Sequence, residues 1–143
     1  MMTSQEAVAK LRRSLLLHEG FHQHGYLDSL GNYTIGIGYN ISERGMPDSW
    51  INQQYADDVN YFYNQLCSFS WFQDLNDDRQ VVLVDMAFMG WRRFLEFKDM
   101  IECLSRHDYA GAAREMLASV WAKQVKKRAV DLANAMLSGV YDV

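Results

Sequence analysis

Proline occurs once in this 143-residue chain and cysteine twice. With so little proline, and with 13% of its residues aromatic, the sequence is not a disordered or low-complexity one. Cys67 and Cys103 match no metal-ligand spacing and are expected to be reduced, mostly buried thiols. No apolar run approaches the ~20 residues needed to span a membrane. The opening stretch carries Glu6, Lys10, Arg12 and Arg13 at helical intervals and only three consecutive leucines. That pattern is neither a signal peptide nor an anchor, and the expectation is a soluble chain made in the cytoplasm. A basic excess is missing too: 14 basic against 18 acidic residues leave a net charge of −4, which argues against nucleic acid as a partner. Lys123, Lys126, Lys127 and Arg128 form the one basic cluster, as much a solvated helix end as an anion site.

The length suits one domain with its own core. Thr3, three residues ahead of Glu6, has the spacing of a capping box, and Val8, Leu11, Leu15 and Leu16 follow on one helical face up to a stop at Gly20. From Gly25 to Tyr39 the texture changes to GYLDSLGNYTIGIGY, two extended runs around a Gly31-Asn32 turn. In the second run Tyr33, Ile35, Ile37 and Tyr39 alternate with Thr34, Gly36 and Gly38, which predicts one aromatic face and one almost bare of side chains. Glycines in a strand often mark the close approach of a ligand or another backbone. Met46-Pro47-Asp48-Ser49 leads into a helix reaching about Leu66, with Trp50, Tyr55, Val59, Phe62 and Leu66 available for burial. The remainder reads as helical: Asn76 caps a run to about Gly90, a helix spans about Glu96 to Arg106, Asp108 caps the next, and a last long segment runs from Trp121 to Leu137. The expected fold class is α+β, predominantly α, with a small β-hairpin lobe and a larger helical lobe. A groove between two such lobes is the expected place for a ligand.

Within this frame Glu19 stands out. It closes the first helix after Leu15-Leu16-Leu17 and directly precedes the hairpin. An apolar setting and a helix C-terminus both disfavour the carboxylate anion, and a carboxylic acid kept protonated is what a general acid requires. Asp28 lies nine residues on, beside the turn. By position alone it reads as an ordinary turn aspartate, yet two carboxyl groups across a groove, one neutral and one ionised, are the equipment of glycoside hydrolysis. Thr34, on the glycine-lined face, has a hydroxyl suited to holding a water. His18, His22 and His24 crowd Glu19, but pairing His18 with His22 on a metal would require the helix to run through Gly20, so a metal is not expected.

HEGFHQHGYLDSLGNYTIGIGYN resembles the catalytic signature of the phage-type lysozymes, the muramidases of glycoside hydrolase family 24 that tailed bacteriophages make as endolysins. The family pattern is Glu-Gly at the end of the first helix, an aspartate on a hairpin, then Thr-Ile-Gly-x-Gly, at intervals that match Glu19, Asp28 and Thr34. MAFMG and the spacing of Trp121, Gln124, Arg128 and Ala129 extend the likeness towards the C-terminus. The resemblance implies a single lysozyme-like domain over residues 1–143, with a hairpin lobe at about 19–46. The helical lobe would take about 67–143 plus the N-terminal helix. It implies Glu19 as general acid, with Asp28 and Thr34 placing the attacking water, and Asn40 and Phe88 as substrate-binding positions.

The bond implied is the β-1,4 link between N-acetylmuramic acid and N-acetylglucosamine in peptidoglycan, cut with inversion and without metal or organic cofactor. For inversion the carboxyl groups stand roughly 6.5–9.5 Å apart, against about 5–5.5 Å for retention. A monomer is expected, with no nucleic acid partner and no stable membrane insertion. It would be stored in the host cytoplasm and act on the periplasmic wall once a separate holin permeabilises the membrane. The alternatives are a lytic transglycosylase, which needs no aspartate partner, and a peptidoglycan-binding module without catalysis. Departures from the family are visible, among them Trp91-Arg92-Arg93, which reads as an unfamiliar loop. The segment from Ile41 to Asp57 is short, which opens the expected cleft, and Tyr39 stands where a histidine commonly follows the glycine.

Overall fold

Ser4 caps the first helix: its hydroxyl accepts from the Ala7 amide at 3.1 Å. Thr3 lies outside the residues that the computed structural model describes, 4–143. The chain divides into two compact units, Met1–Asn52 and Gln53–Val143.

The first unit holds α1 (Gln5–Glu19), strands β1 (His22–Leu27), β2 (Tyr33–Gly36) and β3 (Tyr39–Asn40), the short α2 (Ile41–Arg44) and the start of α3 (Asp48–Leu66). α1 buries none of its residues, so the apolar stripe predicted for it is not a buried face. The single hairpin predicted over Gly25–Tyr39 is a three-stranded antiparallel sheet in the order β1-β2-β3. The alternation that suggested one long strand stops at Gly36. Gly36 and Gly38 have φ of 69° and 71°, a left-handed backbone that turns the chain at Ile37 and returns it as β3. Tyr26 pairs with Thr34 and Leu27 with Tyr33, while the pairing shifts by a bulge before His22 meets Gly36. Thr34 then pairs with Asn40, and Ile35 with Tyr39.

The second unit continues α3 from Gln53 and adds a 3-10 turn (Phe72–Asp74), α4 (Asp77–Ala87), α5 (Trp91–Leu95), α6 (Lys98–Ser105), α7 (Tyr109–Ala118), α8 (Val120–Val125) and α9 (Lys127–Ser138). Its core is built by Leu66, Phe72, Val82, Leu83, Met86, Phe94, Met100, Leu104, Met116, Leu132 and Met136, all fully buried. Cys103 is buried within it and Cys67 is half-buried, both as free thiols. Trp91-Arg92-Arg93, read from the family pattern as an unfamiliar loop, is the opening turn of α5. The segment from Trp121 to Leu137 is two helices, because Lys126 takes a left-handed φ of 52° between them. Two of the four members of the basic cluster are paired. Lys127 meets Asp131 at 2.6 Å, which holds its ammonium above the ordinary lysine value, and Arg128 meets Asp85 at 2.6 Å.

The start of α4 clamps the end of α9. Asn76 accepts from the Arg79 amide at 3.0 Å and donates to the Gly139 carbonyl at 2.8 Å. Arg79, stacked 3.9 Å from the Tyr109 ring centre, donates to the carbonyls of Met136 and Leu137, and Asp78 accepts from the Tyr141 amide. These contacts satisfy the carbonyls that a helix end leaves without partners. Asn76→Ala removes both a cap and a partly buried tertiary bond, and is expected to cost about 2 kcal/mol in urea unfolding. Asn76→Asp keeps the cap and is expected to lose about half as much.

Candidate functional site

Glu19 is the last residue of α1, and the chain leaves the helix at Gly20, whose amide still bonds the Leu16 carbonyl at 3.0 Å. The side chain is exposed, and of the three leucines before it only Leu16 is partly buried. The apolar surroundings expected from that run are therefore sparse. What the carboxyl meets instead is backbone. A methyl group built on Gly38 would lie 2.8 Å from Glu19 Oε2 and 2.9 Å from its Cδ and Cγ. Gly38 sits in the turn between β2 and β3, so the missing Cβ is what lets that turn press against the carboxyl group. The glycine-rich texture of TIGIG signalled a close approach; the approaching group is Glu19's own side chain.

Asp28 follows the end of β1. Its Oδ1 accepts from the amides of Leu30 at 2.9 Å and Asn32 at 2.8 Å, and its own amide donates to the Asn32 carbonyl at 2.9 Å. This is an aspartate-closed turn, as its position suggested, with Gly31 in the left-handed region at φ 80°. The turn occupies only Oδ1. Among the described residues no side chain or amide bonds Oδ2, which stays available as a proton acceptor.

Thr34 is the one buried polar residue among those described, at 4% exposure. Its hydroxyl donates to the Asn32 carbonyl at 3.1 Å, so its proton is committed and its lone pairs can accept from a water. Asn32 thus links the two: its amide is held by Asp28 and its carbonyl by Thr34. Asn40 pairs with Thr34 across β2 and β3, and its Oδ1 caps α2 by accepting from the Glu43 amide at 3.1 Å. Its side-chain NH2 is left as a donor.

Phe88, in the second unit, caps α4 and is 42% exposed. It packs at 5.2 Å from Phe62 and 6.5 Å from Tyr55 and lines a groove with Val59, Val84, Asp85 and Arg128. Arg128, which belongs to the late Trp-x-x-Gln-x-x-x-Arg-Ala pattern, makes a forked contact to Asp85 through Nε at 3.1 Å and a terminal nitrogen at 2.6 Å. Asp85 was not singled out by sequence; only its place before MAFMG hinted at it. Two of the histidines make separate contacts: His18 bonds the Ser14 hydroxyl, and the His22 ring packs at a tilt against Tyr26, 4.3 Å between ring centres.

No family model matches the chain. "Probable T4-type lysozyme 2" of Dictyostelium discoideum is 24% identical over 152 aligned positions, an alignment spanning 85% of this chain and 89% of that protein. The chain resembles the phage-type lysozymes. Its sheet-bearing first unit and helical second unit make a lysozyme-like α+β fold, mostly α, and Glu19, Asp28 and Thr34 all lie in the sheet-bearing unit.

The contact between Glu19 and Gly38 is open to test. Gly38→Ala both strains a left-handed position and pushes the carboxyl group aside. On the function proposed below, in which Glu19 is a reacting group, activity is expected to fall about tenfold to hundredfold, since displacing such a group by ~1 Å costs about that much. The helical circular-dichroism signal, carried mainly by the second unit, is expected to stay.

Proposed function

We propose that the chain is a muramidase that hydrolyses the β-1,4 bond between N-acetylmuramic acid and N-acetylglucosamine in bacterial peptidoglycan. The observation that carries the reading is the gathering, in one unit, of a helix-terminal carboxyl packed on Gly38, a second carboxyl with one free oxygen, and a buried hydroxyl free to accept. The likeness to a protein named as a T4-type lysozyme supports the same chemistry.

In the proposed reaction Glu19 donates its proton to the glycosidic oxygen as the bond to the anomeric carbon breaks. A water attacks that carbon from the opposite face. One of its protons passes to Asp28 Oδ2; the other stays on the attacking oxygen and is donated as a hydrogen bond to Thr34 Oγ1, whose own proton is held by the Asn32 carbonyl. The step ends with Glu19 ionised and Asp28 protonated, and exchange with solvent resets both. Asn40 and Phe88 are proposed to bind the glycan strand, Asn40 through the NH2 that its capping contact leaves free. The biological setting proposed is phage lysis, with the enzyme held in the host cytoplasm until a separate holin opens the membrane.

The test is the product. Purified Gram-negative peptidoglycan treated with the protein is expected to release reducing ends that terminate in N-acetylmuramic acid, formed first as the inverted anomer. Anhydro-muramic ends would make it a transglycosylase. Binding of the wall without any release by folded protein would leave only a binding module.

A further inference from the structure

The first unit carries a cluster of Trp50, Tyr39 and Arg44 that the proposed reaction does not use. The Tyr39 ring lies 5.0 Å from the Trp50 ring, tilted by 43°, and the Arg44 guanidinium sits 4.4 Å from the Tyr39 ring centre. The Tyr39 hydroxyl donates to the Gly45 carbonyl, which fixes that ring in place. In the β2–β3 register Tyr39 pairs with Ile35 while Asn40 pairs with Thr34, so alternation puts Tyr39 on the face of the sheet opposite Thr34. Trp50, in the first turn of α3, remains 47% exposed although its ring is held.

An exposed indole packed against a second aromatic ring offers a flat, electron-rich face to the C–H groups of a sugar ring. Beside it Arg44 presents a planar fork of donors that matches a carboxylate. The polymer proposed above as substrate supplies both partners, since its pyranose rings bear muramic residues whose peptide stems end in carboxylates. We propose that Trp50, Tyr39 and Arg44 form a second, non-catalytic site that holds a peptidoglycan strand by sugar stacking on Trp50 and carboxylate pairing with Arg44. The proposal rests on the reading above for the identity of the polymer, but not on any bond being cut. Such a site would let a chain with net charge −4 stay on an anionic wall, which its overall charge does not favour.

The experiment is co-sedimentation of the full chain with purified Gram-negative sacculi, all in the Glu19→Gln background so that nothing is digested. Trp50→Ala and Arg44→Ala are each expected to raise the amount of wall needed for half-binding by about tenfold, the size of one lost aromatic or charge-assisted contact. Trp50→Phe, which keeps a ring, is expected to restore most of the binding and to guard against a fold defect. On intact sacculi whose stem carboxylates have been converted to amides with a carbodiimide and ammonia the Arg44→Ala effect is expected to vanish while that of Trp50→Ala persists. Unchanged binding in both alanine variants would overturn the proposal. So would a shift from oligomer to monomer on Trp50→Ala without wall present, which would make the cluster an interface between two copies of this chain. If the unsubstituted chain releases no reducing ends while Trp50→Ala still weakens binding, the hydrolase reading falls and the wall-holding site stands.

Discussion

Glu19→Gln is expected to lower the release of reducing ends by about a thousandfold, within the range of 10²–10⁴ found when a positioned acid is removed. The substitution is close to isosteric, so the packing against Gly38 survives and no atom is lost from the contact. The amide cannot give up a proton to the leaving oxygen at neutral pH, and the sugar must then depart as an unprotonated alkoxide. Because Glu19 is exposed and bonds no neighbour among the described residues, thermal stability is expected to move by no more than about 0.5 kcal/mol. Activity and stability are thereby separated. A Glu19→Gln protein retaining a tenth or more of the activity would remove Glu19 from the proposed role. Gly38→Ala distinguishes presence from position, for it keeps the acid and moves it.

Much of this architecture was legible from residue type and spacing. The caps at Asn76 and Asp108 each accept an amide three residues on, as a short polar side chain before an apolar periodic run leads one to expect. The helix entered at Asp48 and left at Leu66 follows from the single proline ahead of it and the periodic aromatics within it. The break at Lys126 was not legible. A lysine has no special preference for a left-handed φ, and the change of direction is imposed by packing, with Trp121 buried on one side and Ala129 on the other. The three-stranded sheet was missed for a related reason. Alternation along Tyr33 to Tyr39 satisfies a strand pattern, and only the positive φ of Gly36 and Gly38 reveals a turn inside it. Asp28 was legible twice over, as a turn former and as a carboxylate, and its bonding pattern shows why the two readings are compatible. One oxygen closes the turn and the other is free. The contact of Glu19 with Gly38 had a sequence signal, the glycine-lined stretch, but nothing that named the partner.

The double duty of Asp28 gives the second large effect, because two substitutions separate its parts. In Asp28→Asn the side-chain carbonyl still accepts from Leu30 and Asn32, and the turn is expected to hold with a loss of about 1 kcal/mol as charge-assisted bonds become neutral ones. The free oxygen becomes an NH2, which cannot take a proton from the attacking water, and reducing-end release is expected to fall about a hundredfold or more. Asp28→Ala loses the base and both turn amides' partner together. The Asn32 amide is then unsatisfied in a partly buried place, and the carbonyl that holds the Thr34 hydroxyl is released with it. Stability is expected to drop by about 2 kcal/mol, with activity below that of the asparagine variant. Thr34→Val tests the link from the other end. It removes the acceptor for water, so combining it with Asp28→Asn should cost less than the product of the single losses, as groups serving one water are not independent. If Asp28→Asn is as active as the unsubstituted chain while Asp28→Ala unfolds more easily, Asp28 is a turn residue alone. A catalytic role would then have to pass to a group outside the sequence signature.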